Sequence, residues 1–140
     1  QSRRRHDTHG DDVMAAFAGA RLLLVEDNDL NQEVARELLL SAGFSVDIAD
    51  NGQLALEQLA KENYELVLMD IQMPVMDGYD ATARIRRMKD EEKASIPIIA
   101  MTANAFAEDR QKAISTGMND HVAKPIDMKV LLPVMAKYIR

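Results

Sequence analysis

Leu66-Val67-Leu68-Met69-Asp70 sets four consecutive apolar residues against a terminal carboxylate, and Leu22-Leu23-Leu24-Val25-Glu26-Asp27 repeats the arrangement earlier in the chain. Short apolar runs with no alternating polar face are the pattern of strands buried on both sides. Working outward, the run Ile96–Met101 ends at Thr102, and His121-Val122-Ala123 ends at Lys124-Pro125. Phe44, Val46 and Ile48 alternate as a further strand, which runs out into Asp50-Asn51-Gly52, an ordinary turn. Amphipathic stretches fill the intervals. Leu30, Val34 and Leu38 recur at helical spacing until Gly43, with Asp29 and Gln32 placed as a capping box. A helix near Gln53–Glu62 presents Leu54, Leu56 and Leu59, and others are expected around Tyr79–Met88, Ala105–Ser115 and Asp127–Tyr138. Pro74 and Gly78 punctuate the loop Ile71–Gly78. Strands and helices alternating in this way call for an α/β fold, a doubly wound parallel sheet covered on both faces with right-handed crossovers.

With 140 residues the chain is one domain, long enough to bury a core without staples. It has no cysteine, which excludes disulfide frameworks, thiolate nucleophiles and Cys-ligated metal sites. Its 17 basic and 23 acidic residues give a charge of -6. Residues 1–20 hold three Arg and three Asp, so the whole acidic excess falls in residues 21–140. Such a surface repels nucleic acid, which is not expected as a ligand, and attracts divalent cations or basic partners. Residues 1–20 read as a linker or tag remnant with a short helical turn at Val13–Phe17, and residues 21–140 as the folded domain. Gln1 in place of an initiator methionine points to processing or to excision from something longer. The Val13–Ala20 run is too short to span a membrane, and Arg3–Arg5 lead into His6, Asp7, Asp11 and Asp12 rather than a signal-peptide core. Glycines at 10, 19, 43, 52, 78 and 117 form neither dinucleotide nor P-loop spacing, and no G-x-S-x-G elbow occurs. His6, His9 and His121 lack metal-ligand spacing.

In sheets of this kind the ligand crevice lies beyond the carboxyl ends of the strands. Glu26-Asp27, Asp70, Thr102 and Lys124 stand at those ends. Two like charges 4 Å apart repel by about 4 kcal/mol at an effective dielectric near 20, so crowded carboxylates need a proton or a cation. Oxygen ligands without His or Cys suit Mg2+, or Mn2+. A carboxylate can then act as nucleophile on a phosphoryl group, with a lysine and a hydroxyl stabilising the transferred charge. Asp70 ends the central run and is the better nucleophile candidate; Glu26 and Asp27 are suited to holding the ion.

Val25-Glu26-Asp27-Asn28, Met69-Asp70-Ile71-Gln72-Met73-Pro74-Val75-Met76-Asp77-Gly78, Met101-Thr102-Ala103 and Lys124-Pro125 together resemble the receiver domain of two-component response regulators, from Arg21 to the C-terminus. The wording of the loops is similar to receivers carried by hybrid sensor histidine kinases. The resemblance implies a flavodoxin-like (βα)5 sheet in the order 2-1-3-4-5 and a Mg2+-dependent transfer of phosphoryl from a phosphohistidine to aspartate. On that implication Asp70 is the phosphoacceptor, Asp27 ligates the metal directly, Glu26 assists through water, and the Gln72 carbonyl completes the site. Thr102 and Lys124 bind the phosphoryl oxygens, and Lys124-Pro125 is cis. Thr102 and the side chain three residues before the lysine, His121 here, form the switch; an aromatic is usual at that position. Gln72 and Asn104 overlook the phosphoryl group and influence its lifetime. Asn31, Val34 and Pro125 are the implied docking contacts for a histidine kinase or histidine phosphotransfer domain. A cytoplasmic location follows for the domain, in a parent protein that can be anchored in the inner membrane.

Taken singly, Asp27 and Asp29 could be helix caps, Asp70 a turn residue and Thr102 a cap; joint placement at four strand ends argues against that. Two other readings stand beside the receiver. Asp27-Asn28-Asp29 gives the Asp-x-Asp of a haloacid-dehalogenase-like phosphatase, without its usual following Thr or Val. A degenerate receiver acting only as a binding module is the second.

Overall fold

The structure, a computed structural model, describes residues 19–71, 73, 76–103 and 107–139. Of the linker expected over residues 1–20, residues 1–18, with the turn at Val13–Phe17, lie outside the described residues. Five strands, β1 (Arg21–Val25), β2 (Ser45–Ala49), β3 (Leu66–Asp70), β4 (Ile98–Thr102) and β5 (Asp120–Ala123), form one parallel sheet in the order β2-β1-β3-β4-β5. The helices are α1 (Asp29–Ser41), α2 (Gly52–Lys61), α3 (Gly78–Arg86), α4 (Glu91–Ala94), α5 (Ala107–Thr116) and α6 (Met128–Ala136).

Period-two alternation within the apolar runs divides the core. Leu23, Val25, Val67, Met69, Ile98 and Ala100 face a layer containing Ala55 and Leu59 of α2, Ala81 and Ile85 of α3, and Ala113 of α5. Leu22, Leu24, Leu66, Leu68, Ile99 and Met101 face Ala35 and Leu39 of α1 and Leu131 and Met135 of α6. Every residue of β3 and β4 is buried, as expected of strands covered on both faces. β2, at the edge, is half-buried through Val46, Asp47 and Ile48, so its alternation does not sort residues into inside and outside.

Several boundaries differ from the sequence reading for local reasons. Asn28, one residue before the expected Asp29, caps α1 by accepting from the Asn31 amide, and the Gln32 side chain is engaged elsewhere. β4 begins at Ile98 rather than Ile96: Pro97 has no amide to give the ladder, though its carbonyl accepts from Val67 N at 2.9 Å. The one-turn helix α4, capped by Asp90, was not expected; it has no buried residue and therefore no apolar period to read. Pro133 lies inside α6, where it and Lys129 are both exposed and water can satisfy the carbonyl that loses its donor. Gly43 (φ +99°) and Gly117 (φ +117°) end α1 and α5 in the left-handed region that favours glycine. Among the described residues, no helix is long and apolar enough to cross a membrane.

Candidate active site

The parallel register brings the strand ends together. Val25 pairs with Met69, Asp70 with Met101, and Thr102 with Ala123, so the residues that follow β1 and β5 lie beside Asp70 and Thr102. Glu26 extends the ladder by donating its amide to Ala49 O at 3.1 Å, after which the chain bends into the Asn28 cap. The bend exposes Asp27 but buries the Glu26 carboxylate, which accepts the Asn28 amide at 3.1 Å through Oε2. The Lys124 backbone amide donates to Thr102 O at 2.8 Å, and the following Lys124-Pro125 bond is cis, as the resemblance implies.

Lys124 Nζ lies 3.3 Å from Glu26 Oε1 and 3.3 Å from Asp70 Oδ1, and the side chains of both acids are only 3% exposed. Burial works against the lysine charge, but Asp70 and Glu26 outweigh it and raise the Lys124 pKa above the ordinary lysine value. Glu26, Asp27 and Asp70 can each present an oxygen to a common point, those atoms lying within 4.8 Å of one another. Three carboxylates against one ammonium leave the cluster short of positive charge when all are ionised, and its donors are hard oxygens; a small divalent cation fits both the charge and the donor set. Thr102, 8% exposed, lines the same cleft of about 220 Å³ with Asp70 and Lys124.

The expected site residues Glu26, Asp27, Asp70, Thr102 and Lys124 are thus brought together. Gln72 and Asn104 lie outside the described residues. His121 is half-buried in β5 with its Nδ1 3.8 Å from Asp120 Oδ1, and it is not among the residues lining the cleft. Asn31, Val34 and Pro125 share a groove with Leu30 and Ile126, and Leu30 and Val34 are 71% and 48% exposed. Asn31, Glu26 and Lys124 line both groove and cleft, so the two are continuous.

Sequence reasoning missed the use made of Gln32. Its Nε2 donates to the Glu26 carbonyl at 2.6 Å and to Asp50 Oδ1 at 2.8 Å, joining the exits of β1 and β2. It also missed how closely Gly78 sits on the site: a Cβ there would lie 2.4 Å from the Asp70 carbonyl oxygen. The Gly78 signal was present as a glycine at a helix start, but which backbone it abuts is a tertiary fact.

Comparison with known proteins agrees with this geometry. The family model described as the response regulator receiver domain matches residues 22–136. Hybrid signal transduction histidine kinase I of Dictyostelium discoideum is 40% identical over 128 residues, covering 85% of this chain; the chain spans only 7% of that kinase. The receiver domain of a sensor histidine kinase from Pseudomonas aeruginosa, solved with magnesium in its active site cleft, is 40% identical, with a TM-score of 0.79 over 87% of this chain and 98% of that one. A response regulator receiver from Saccharomyces cerevisiae, co-crystallised with a histidine phosphotransfer signaling protein, is 30% identical, with a TM-score of 0.78 over 88% of this chain and 90% of that one. Fold, strand-end acids and family match converge, and the chain belongs to the response regulator receiver domain family.

Proposed function

We propose that this receiver takes a phosphoryl group from a phosphohistidine onto Asp70, in the presence of Mg2+, and relays or stores it. The observation that carries the reading is the meeting of Asp70 with Glu26, Asp27 and Lys124 at one sheet edge. A carboxylate oxygen of Asp70 attacks phosphorus, the P–N bond to the imidazole breaks, and the leaving nitrogen keeps the electron pair of that bond. Glu26, Asp27 and Asp70 would hold a divalent cation, magnesium or manganese, which would supply positive charge against the charge that collects there. Lys124 stays protonated throughout and transfers part of its attraction from the carboxylates to the incoming phosphoryl oxygens. Thr102 supplies a hydroxyl at the end of β4. The groove of Leu30, Val34 and Pro125 offers an apolar surface beside the nucleophile, suited to a helical phosphodonor or phosphotransfer module.

Family membership favours Asp70 over an Asp27-centred phosphatase. Incubation with a small acyl phosphate donor in magnesium tests the choice. The parent chain and no Asp70→Asn variant should acquire a base-labile acyl phosphate. Labelling retained in Asp70→Asn but lost in Asp27→Asn would make Asp27 the nucleophile. Absence of label in the parent chain would leave the binding-module reading.

A further inference from the structure

We propose that Gln32 is a positioning residue for this site, a bridge that sets the angle at which the Glu26–Asp27 pair meets the cation. The proposal rests on the reading of the site given above. The carbonyl of Glu26 belongs to the peptide that joins the two acids, and it accepts Gln32 Nε2 at 2.6 Å. The same nitrogen reaches Asp50 Oδ1 at 2.8 Å, on the residue that leaves β2. Both hydrogens of one amide nitrogen are therefore spent between two strand exits, and Gln32 itself is anchored in the first turn of α1 through its amide to Asn28 O at 2.9 Å. The other constraints on Glu26, from Asn28 and Lys124, act on its carboxylate, and its own amide looks back to β2. The Gln32 bridge restrains the peptide on the side facing Asp27. A carboxylate at position 32 could not donate, and a shorter amide would not span both acceptors. Partners of this kind, which orient metal-binding groups without touching the ion, commonly change affinity by about 10–100-fold when removed.

Gln32→Met keeps the length of the side chain and deletes both donors. Calorimetric titration of the full chain should show the Mg2+ Kd rising on the order of ten-fold. In metal-free protein the Asn28 amide, which reports on the Glu26 carboxylate, should exchange with solvent several times faster. A role confined to stability would lower the urea midpoint and move neither quantity. Asp50 is exposed and supplies a second test that does not depend on how Gln32→Met folds. Asp50→Asn removes the charge but retains an oxygen for Gln32, whereas Asp50→Ala removes both, so the alanine variant should bind Mg2+ more weakly than the asparagine one. Equal affinities in the Asp50 pair, or an unchanged Kd in a folded Gln32→Met, would overturn the bridge while leaving the parent's Mg2+ binding and Asp70 labelling intact. A parent chain that neither binds Mg2+ nor labels Asp70 would instead overturn the reading of the site itself.

Discussion

Thr82 and Glu26 are both polar residues with almost no exposure, and they are treated in opposite ways. Glu26 has each carboxylate oxygen committed, one to the Asn28 amide and one to Lys124. Thr82, fully buried in α3, has no hydrogen-bond partner for Oγ1 among the described residues. A buried donor left unmade costs about 1–3 kcal/mol, while replacing it by an apolar group of the same shape avoids the cost. Thr and Val have nearly the same shape and similar helix propensity. Thr82→Val is therefore expected to raise stability by about 1 kcal/mol, read as a higher urea midpoint with unchanged Asp70 labelling. A lower midpoint would mean that the hydroxyl is satisfied by water. Lys124 shows why single residue types carried so much of the site in the sequence: a lone lysine closing an apolar run has few structural reasons to be there, whereas nothing about Gln32 set it apart from a cap partner.

At the scale of elements, α3 starts in close approach to the backbone at the end of β3. Gly78 opens α3 behind the Asp77 cap and donates its amide to Ile71 O at 2.8 Å, so the helix start rests on the backbone that follows Asp70. A methyl at position 78 would meet the Asp70 carbonyl at 2.4 Å and Ile71 Cα at 2.9 Å, both backbone atoms that cannot rotate away. Gly78→Ala is expected to cost about 1–3 kcal/mol as overpacking and to slow Asp70 labelling, because the relief must come from moving the β3–α3 loop. Parent-like urea stability and labelling would show that the loop yields freely. The same comparison explains what was legible in the elements. β1, β3 and β4 stood out because burial on both faces leaves almost no polar residue in them. α4 did not, since a single turn capped by Asp90 buries nothing. Arg86 was equally silent: its guanidinium donates to the carbonyls of Ala94, Ile96 and Gly117 and to Asn119 Oδ1, tying α3, α4 and the α5 exit together, and burial lowers its pKa. Acceptors that are backbone carbonyls leave no trace in side-chain identity.

Across the whole molecule, the strand-end acids were readable because topology turns sequence order into one edge, and the doubly wound order follows from the same alternation. What escaped reading was the opposite end of the sheet. There Arg21 pairs with Asp47 at 2.9 Å and Glu62 at 3.1 Å and lies 4.9 Å from the Tyr64 ring centroid, while Tyr64 Oη donates to Asp47 at 2.7 Å. These residues are scattered in sequence and meet only after β1, β2 and the α2–β3 connection have packed. Burial, then the hydrogen bond to Asp47, pushes the Tyr64 pKa up to about 12. Tyr138 is raised by burial and by Asp120, and Lys124 is raised by its carboxylates against burial. All three groups hold their protons more tightly in the folded chain than in the unfolded one. Their contribution is complete below the unfolded values, near 10 for tyrosine and 10.5 for lysine. Above those values the unfolded state releases protons that the folded state retains, so the free energy of unfolding falls as pH rises. Urea denaturation should therefore show a decline setting in near pH 10, with the Tyr64 share lost between pH 10 and about 12. Tyr64→Phe should be less stable than the parent at pH 8 and should decline less steeply above pH 10, so that the two curves converge. Parallel curves would mean that Tyr64 ionises alike in both states and that its bond to Asp47 contributes nothing to the alkaline limit.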